Sequence, residues 1–382
     1  VGLGNAGRTV TFVAAPAPDP DLAALVADIR AGRVETLVIL GGNPLVTAPA
    51  DLDVAAALGR VQTTVHLSGH VDATSSVCTW HLPQAHYLES WHDTTAADGS
   101  VLAVQPLIEP LYAGRSDLEL LGMMLSQPVP RGYETVRTTF HRLTGGSGEA
   151  PRNNPRFEER WQEFLHDGFL AGDGEVAAPS LRGTRLELPR EPAPTAGKLE
   201  LVIMADASLH DGRYADNAWL QEVPDFATKV VWDNVASLSP ATAAELGIVH
   251  GDLLELEFRG RRQQMPAYIL PGHAAHTVTV TLGYGRTDSG PVGRDVGHDV
   301  YALRPSDALH VGSVLPVTKT RRSYELACSQ DHHAIDPQGY QERERRVGAL
   351  VLETDLAHYT EHPYFVEHLG IHHPPLLSLW EE

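Results

Sequence analysis

The stretch that most restricts the fold of this chain is residues 34–58. Residues 34–40 form a short apolar run rich in β-branched side chains, which is typical of a buried strand and too short for an amphipathic helix. The run ends at Gly41-Gly42-Asn43-Pro44, and residues 50–58 then have the composition of a helix. Glycine allows backbone conformations that other residues avoid, and it lets a ligand approach closely. A strand, a glycine turn and a helix in this order predict a ligand-binding edge at the carboxyl end of an α/β sheet.

The flanking segments extend this unit into an alternating pattern. Residues 9–13 and 63–67 are predicted strands, and residues 22–31 are a predicted helix whose apolar positions recur at helical spacing. Strand, helix, strand, helix, strand in this sequence predicts a parallel sheet with helices on its faces. Residues 117–125 add a helix that Ser116 is suited to cap.

Charge and composition limit the partners of this chain. Its 382 residues suffice for two or three domains with sizeable cores. There are 29 Lys and Arg against 49 Asp and Glu, a formal charge of -20, so we expect no nucleic-acid partner. No apolar run approaches the roughly 20 residues of a membrane helix, which predicts no direct membrane span. The two cysteines, Cys78 and Cys328, are too few for an iron–sulfur cluster, which takes about four.

The second half of the chain changes character. Residues 127–197 are predicted to form a helical segment with an aromatic core stripe, followed by a linker rich in proline and glycine. From residue 198 onward, strand patterns alternate with turn residues, and residues 319–322 are predicted to be a solvated basic turn. The glycine turn Gly283-Tyr284-Gly285-Arg286 places an arginine where it could bind a phosphate or carboxylate, although an ordinary strand-connecting turn is the simpler interpretation.

Two groups of residues invite a metal-binding interpretation. Cys78, His81 and His86 lie close in sequence, but zinc sites usually bring four ligands in tight pairs, and no second pair follows. The run Asp331-His332-His333 offers neighbouring imidazoles, yet adjacent residues of a strand point to opposite faces. We therefore expect no metal site in either place, and we predict that the first group packs in loops at a domain interface. No G-x-S-x-G or H-E-x-x-H motif supports a hydrolase.

The order of the short motifs resembles a known family. The turn at residues 41–44, followed by His81-Leu82-Pro83, Tyr87-Leu88-Glu89 and Gln105-Pro106, resembles the third domain of the molybdopterin oxidoreductases, where this turn lies against a guanine dinucleotide. Residues 240–258 are similar to the fourth domain of those enzymes, a double-psi β-barrel.

A narrower resemblance covers nearly the whole chain. Residues 37–53, 79–91 and 104–121 resemble the B subunit of bacterial alternative complex III, a respiratory quinol:electron-acceptor oxidoreductase. That subunit joins a molybdopterin-enzyme-like part, which this chain matches, to an iron–sulfur part.

The resemblance implies the fold class and the site. We expect an α/β chain with a Rossmann-like parallel-sheet domain followed by a double-psi β-barrel. The implied divisions are a Rossmann-like domain at residues 1–126, a helical segment and linker at 127–197, the barrel at 198–327, and a tail at 328–382 that leads to an iron–sulfur module. By resemblance only, His81, Glu89 and His92 are expected to face the pocket. The candidates for a vestigial cofactor pocket are Gly41, Gly42, Asn43, Pro44, His81, Glu89, Gly283, Gly285 and Arg286.

The resemblance also implies a scaffold without a catalytic centre of its own, within an oxidoreductase complex. The B subunit is understood to have lost the pterin, so we expect no cofactor in this chain, a pocket closed by side chains, and iron–sulfur clusters in the module that follows. The implied partners are that module, a c-type haem subunit and integral membrane quinol-binding subunits, on the periplasmic face of the bacterial inner membrane. Electrons would pass through these neighbours from quinol to cytochrome c or an oxidase. The alternative is a cofactor-binding fragment of a true molybdopterin-guanine-dinucleotide oxidoreductase.

Overall fold

The computed structural model describes residues 4–5, 8–13, 21–125, 131–172, 194, 198–329, 352 and 354–368. The chain divides into two compact units, Val1–Ala327 and Cys328–Glu382. Most of the predicted linker and the Asp331-His332-His333 run lie outside the described residues. Two short helices, α10 (Leu356–Glu361) and α11 (Phe365–His368), belong to the second unit. None of the helices in the described part of the chain has the length and apolar character of a membrane span.

The N-terminal part of the first unit is built on a three-stranded parallel sheet in the order β1-β2-β3. Its elements are α1 (Leu22–Arg30), β1 (Thr36–Leu40), α2 (Pro44–Thr47), a 3-10 helix (Ala50–Leu52), α3 (Val54–Leu58), β2 (Thr63–Ser68), α4 (Ala73–Val77) and β3 (Trp80–Pro83). Helices α1 and α3 pack on the sheet, since Val26 and Ala57 share one core cluster with Ile39. The predicted parallel sheet with packed helices is therefore confirmed.

Two local predictions for this sheet were wrong. Residues 9–13 form single bridges instead of a strand, and the third strand is Trp80–Pro83, which pairs with β2 from Val65 onward. The predicted helix at residues 50–58 is interrupted at Asp53, whose φ is 48°. The Asp53 carboxylate accepts a hydrogen bond from the Ala56 N–H at 3.3 Å and so starts α3.

The middle segment packs aromatic helices against a small antiparallel sheet. Its elements are β4 (His92–Thr95), β5 (Val101–Val104), α5 (Asp117–Met124), α6 (Gly132–Leu143), α7 (Pro155–Asp167) and β6 (Phe169–Leu170). Phe140, Phe157, Trp161 and Phe164 are buried together, which confirms the predicted core stripe. Ser116 caps α5 as predicted, through a reciprocal capping box with Glu119.

The largest core lies within a seven-stranded mixed sheet in the order β12-β7-β11-β8-β10-β9-β13. The elements of this part are β7 (Leu199–Met204), α8 (Ala218–Glu222), β8 (Ala236–Leu238), α9 (Pro240–Leu246), β9 (Asp252–Phe258), β10 (Arg261–Ile269), β11 (Thr277–Thr281), a 3-10 helix (Tyr301–Leu303), β12 (Val311–Leu315) and β13 (Val317–Ser323). The basic residues 319–322, predicted to be a turn, lie in the edge strand β13 instead.

The two outer strands of this sheet approach each other. Strands β12 and β13 are consecutive in the chain, and the carbonyl of the intervening Pro316 accepts a hydrogen bond from the Glu257 N–H at 3.1 Å. Gly312 of β12 lies so close to Phe258 of β9 that a Cβ at this position would stand 2.3 Å from the ring. The sheet therefore curls until its edges meet.

Candidate functional site

The first glycine turn that the sequence singled out and Arg286 of the second line one cavity of about 850 Å³. One wall comes from the turn after β1 (residues 41–43) and the segment after β2 (residues 68–72). The other wall comes from residues 211–219 and from the loop at residues 286–290. We call this space the cleft. It is open, which departs from the expectation of a pocket closed by side chains.

The first wall is held by Asn43. Its Oδ1 accepts hydrogen bonds from the Thr74 hydroxyl at 2.6 Å and from the Thr74 N–H at 3.2 Å. The buried Asn43 Nδ2 has no hydrogen-bond partner within the described residues. Gly41 and Gly42 have φ of 67° and 68°, in the left-handed region where glycine is favoured. The turn thus contains a buried amide donor without a partner, behind the surface of the cleft.

Behind this turn lies a chain of buried polar groups. His66 Nε2 is 3.1 Å from the Gly42 carbonyl oxygen, and His66 Nδ1 is 2.9 Å from Ser75 Oγ. Ser75 Oγ is in turn 3.0 Å from His81 Nδ1. A carbonyl oxygen can only accept, so His66 Nε2 carries a proton. In the neutral ring, Nδ1 then accepts from Ser75, and Ser75 accepts from His81.

His81 is thus a support of the turn and does not line the cleft. Burial is the main cause that lowers the pKa of His81; a second positive charge on the nearby His66 would be unfavourable and acts in the same direction, while Asp72 acts in the opposite direction. The lowered pKa favours the neutral imidazole, whose Nδ1–H can donate to Ser75. The Gly42 carbonyl is therefore held from behind by side chains, and the turn has a fixed shape.

The other residues that the sequence predicted near this turn lie away from the cleft. The Glu89 carboxylate accepts hydrogen bonds from the His86 N–H at 3.0 Å and from the Leu111 N–H at 3.2 Å. His92 Nδ1 is 3.1 Å from Asp117 Oδ1. Pro44 begins α2 and is not part of the lining. These contacts organise loops around the parallel sheet.

The second wall is built around Arg286. This side chain is only 7% exposed, and its Nη1 donates to the Gly212 carbonyl oxygen at 3.2 Å. Arg286 Nε and Ser289 Oγ, both buried, have no partner among the described groups. Gly283 packs against Gly212, and a Cβ on Gly285 would stand 2.1 Å from the Asp299 nitrogen. These two glycines shape the loop without lining the cleft.

Carboxylates dominate the charge of the cleft. Asp72, Asp211, Asp216 and Asp288 line it, against the guanidinium groups of Arg213 and Arg286. A hydrogen bond from Arg213 Nη2 to Asp211 Oδ2, 2.8 Å long, outweighs burial and lowers the pKa of Asp211 to about 2. Arg213 is thereby already paired. Asp216 Oδ1 accepts the Val292 N–H at 2.7 Å.

Two aromatic side chains stand at the mouth of the cleft. Trp219 is 83% exposed although it belongs to the lining, and Tyr214 is also exposed. The sequence analysis missed both, together with the carboxylates. The usable signal was the run from Asp211 to Trp219, whose closely spaced Asp, Asn and Gly residues indicate a loop built on side-chain turns.

The described residues contain no group of three His, Cys, Asp or Glu side chains that could hold a metal ion. Cys78, His81 and His86 therefore do not converge on one point. Burial is the main cause of the raised pKa of the Cys78 thiol, which disfavours the thiolate that binds metals.

Comparison with known proteins places this geometry in a family context. No protein-family profile matches the chain. It is 24% identical over 239 residues to the G 2 subunit of NADH-quinone oxidoreductase from Rhizobium meliloti (strain 1021), covering 62% of this chain and 26% of that protein. Among solved structures it is similar to acetylene hydratase from Pelobacter acetylenicus, with a TM-score of 0.56 and 15% identity. That match covers 78% of this chain and 46% of the hydratase. The fold is thus molybdopterin-oxidoreductase-like, and the chain spans about a quarter of its curated relative and under half of its structural neighbour.

The family resemblance of the sequence implies a pterin dinucleotide, whose pyrophosphate carries negative charge. The turn at residues 41–43 and the buried Arg286 offer donors for such a group, but the three lining carboxylates without an arginine partner, Asp72, Asp216 and Asp288, oppose it. Two like charges ~6 Å apart repel by about 3 kcal/mol at an effective dielectric constant of ~20. Only Arg286 is available to offset this, because Arg213 is paired with Asp211. The charge of the cleft therefore does not fit a pterin dinucleotide.

Proposed function

We propose that this chain is a cofactor-free scaffold part of the iron–sulfur subunit of a respiratory quinol:electron-acceptor oxidoreductase, alternative complex III. The observation that carries the proposal is the carboxylate lining of the cleft, which is unsuited to a pyrophosphate. A scaffold that has lost its cofactor still needs its hydrophobic cores, and both sheets here have well-packed cores. In this proposal the chain positions its neighbours, and the redox chemistry takes place in them.

The proposed domain architecture is more detailed than the description of the sheets given above. It divides the chain into a Rossmann-like domain at residues 1–126, a helical segment and linker at 127–197, and a double-psi β-barrel at 198–327. Residues 328–382 would lead toward an iron–sulfur module. The barrel assignment is supported by the meeting of the outer strands β12 and β13 at Pro316.

The proposed partners are an iron–sulfur module, a c-type haem subunit and integral membrane quinol-binding subunits, on the periplasmic face of the inner membrane. Support comes from the relative in Rhizobium meliloti, which is by name a subunit of a quinone oxidoreductase. The acidic balance of the chain, with a formal charge of -20, suits basic neighbours. The periplasmic location rests on the family resemblance alone.

The decisive experiment is elemental analysis of the native complex for molybdenum, tungsten and iron, with extraction of guanine nucleotides. We expect iron without molybdenum, tungsten or guanine, because the iron belongs to the cluster module and the haem partner. Molybdenum or tungsten at about one atom per subunit, together with guanine, would contradict the proposal.

A second candidate function is a cofactor-binding part of a true molybdopterin-guanine-dinucleotide oxidoreductase. One observation favours it: three buried atoms of residues that line the cleft, Asn43 Nδ2, Arg286 Nε and Ser289 Oγ, have no partner in the part of the chain described. Buried polar groups are normally satisfied, so these atoms point to a ligand. The same metal and guanine analysis decides between the two candidates.

A further inference from the structure

We propose that residues 324–327 form a strap that closes over a buried carboxylate–imidazole pair, Asp233 and His298, and that opens when His298 takes up a proton in mildly acidic solution. The strap follows the edge strand β13 and ends at Ala327, the last residue of the first unit. The inference goes beyond the proposed function and does not depend on it, because none of the residues involved lines the cleft. Three features of the structure support it.

The first feature is the way in which the strap is fastened. The Tyr324 N–H donates to the Gly251 carbonyl oxygen at 2.7 Å, and the Val231 N–H donates to the Ala327 carbonyl oxygen at 2.9 Å. Between these two bonds, Leu326 packs on a small buried cluster outside the main core, which consists of Val230, Val235 and Tyr268. A segment that is fastened at the rim of a fold in this way can open locally while the core stays folded.

The second feature is the pair that the strap covers. Only 6% of the Asp233 side chain and 18% of the His298 side chain are exposed, and Asp233 Oδ1 lies 3.8 Å from His298 Nε2. The Tyr324 hydroxyl donates to the Asp233 carboxylate. The Tyr324 ring also lies edge-on to the His298 ring, with 5.3 Å between the ring centroids. One side chain of the strap therefore contacts both members of the pair.

The backbone of His298 is fixed beside the carboxylate. Asn234 Oδ1 accepts the His298 N–H at 2.8 Å, and Asn234 Nδ2 donates to the His298 carbonyl oxygen at 3.0 Å. Asn234 is itself buried and follows Asp233 directly in the chain. Because these bonds hold the backbone in place, opening of the strap is the simplest route by which the imidazole gains contact with water.

The third feature is strain in the segment that receives the strap. Lys229 and Trp232 have φ of 60° and 57°, in the left-handed region that is unfavourable for residues with a Cβ atom. They flank Val230 and Val231, which contact the strap. A strained backbone persists where the surrounding contacts hold it in place. Opening of the strap removes some of these contacts and lets the segment relax, which brings the open and closed states closer in free energy.

Proton binding by His298 favours the open strap. Burial lowers the pKa of His298 from its ordinary value of 6.5, although the charge of Asp233 acts in the opposite direction. When the strap opens, the imidazole meets water and its pKa returns toward 6.5. The open state then binds more protons than the closed state. The closed strap is therefore most stable above pH 6.5 and loses stability as the pH falls below that value.

Asp233 acts in the opposite sense, but its effect belongs to a lower pH. Burial raises its pKa from 3.8, so a proton on this carboxyl favours the closed strap. The Tyr324 hydroxyl and the Asn234 N–H, which is 2.9 Å from Asp233 Oδ1, limit that rise because they bind the carboxylate. Burial first, and then the bond to Asp233, raise the pKa of Tyr324 to about 12, so its hydroxyl remains a donor throughout.

The remaining titratable groups near the pair surround Tyr284. Burial raises the pKa of Tyr284, and the charges of Asp206, Asp225 and Asp233 add to this effect. Tyr284 therefore stays protonated and neutral between pH 5 and 8. Among the described charged groups, only Asp233 contributes to the shift of the His298 pKa, so His298 is the group whose proton is coupled to the strap.

The test is hydrogen–deuterium exchange of the full chain at pH 7.5 and 5.5, corrected for the intrinsic exchange rate and measured in peptides that cover residues 229–233 and 323–328. We expect protection in both peptides to fall by about fivefold to tenfold at pH 5.5, where tenfold is the limit for one histidine that titrates at 6.5 only in the open state. Protection of the core strand β11 should not change.

Three variants decide whether His298 is responsible. His298→Gln removes the titrating group and should abolish the pH dependence, whereas the control His166→Gln, whose histidine side chain is 88% exposed, should preserve it. Tyr324→Phe should reduce protection of the strap by at least about threefold at both pH values, because a buried carboxylate loses its donor. A strap that is insensitive to pH in the wild-type chain, or equally sensitive in His298→Gln, would overturn the inference.

Asp233→Asn provides an independent test if His298→Gln already loosens the strap at pH 7.5. This change keeps the Oδ1 acceptor for the Asn234 N–H and removes the carboxyl that acts in the opposite sense. We therefore expect a larger loss of protection between pH 7.5 and 5.5 than in the wild-type chain. If the pH dependence disappears in Asp233→Asn, the carboxyl and not the imidazole controls the strap, and the inference is wrong.

Discussion

Arg286 shows how single residues determine the chemistry of the cleft. Its burial is possible because Gly212 leaves room for the guanidinium, with a φ of 92° that disfavours other residues. The sequence analysis identified Arg286 from its glycine neighbours, but it did not foresee Gly212 as its contact. The two positions are brought together only by the tertiary fold.

Replacing Gly212 by alanine should therefore be unusually damaging. The added Cβ would stand 2.7 Å from Arg286 Nη1 and 2.9 Å from the Gly283 carbonyl oxygen, in a left-handed conformation. We expect a loss of about 2–4 kcal/mol in the free energy of unfolding, measured by urea denaturation. Gly272→Ala is the matched control, because Gly272 has a φ of 86° with nothing within 4 Å, so only roughly 1 kcal/mol of backbone strain is expected. Equal losses in the two variants would contradict the packing argument.

Asp211 gives a prediction about pH. Its pKa is lowered from 3.8 to about 2 by Arg213, so its contribution to stability is present above pH 3.8 and is lost as pH falls toward 2. Asp211→Asn should cost about 1–2 kcal/mol at pH 7, and about half of that near pH 3. Urea denaturation at both pH values measures this, with Glu163→Gln as an exposed control. A cost independent of pH would show that the ion pair does not supply the stability.

At the scale of elements, periodic and capped segments were predictable, and short strands were not. The helices that contain Val26 and Trp161 repeat apolar residues at helical spacing, and the structure has both. The strand Trp80–Pro83 has only four residues, both of its ends are exposed and it has only one partner strand, so little local distinguished it from a loop. The carboxylates of the cleft were missed for a related reason: Asp72, Asp216 and Asp288 come from loops far apart in sequence.

The meeting of the edges of the seven-stranded sheet can be tested at Gly312. A Cβ on Gly312 would stand 2.3 Å from the ring of Phe258, which is buried in the core. We expect Gly312→Ala to reduce the free energy of unfolding by about 1–3 kcal/mol through overpacking. Because Phe258→Leu removes the obstructing end of the ring, the double variant should recover at least about 1 kcal/mol relative to additivity. If the losses in the free energy of unfolding are additive in urea denaturation, Gly312 and Phe258 are not in contact.

At the scale of the whole first unit, a small set of contacts joins the parallel-sheet lobe to the seven-stranded sheet and sets the width of the cleft. The Asp51 carboxylate accepts the Ser306 N–H at 2.7 Å and the Ser306 hydroxyl at 2.6 Å. The Ala50 N–H donates to the Arg304 carbonyl oxygen at 2.9 Å, and Arg304 Nη1 donates to the Thr47 carbonyl oxygen at 3.3 Å. Thr47 itself lines the cleft, so this junction and the site are mechanically linked.

Weakening this junction should disturb the shape of the cleft without unfolding the parallel sheet or the seven-stranded sheet. Burial acts to raise the pKa of Asp51, but the hydrogen bonds from Ser306 outweigh it and lower that pKa, so the contact is strongest above pH 4 and weakens in acid. For Asp51→Ala we expect faster amide exchange at residues 47–52 and 304–306, while the strands within each sheet keep their slow exchange. Asp307→Ala is the control, since Asp307 pairs with Arg259 within the part of the chain that forms the seven-stranded sheet. If both variants behave alike, the junction does not set the width of the cleft.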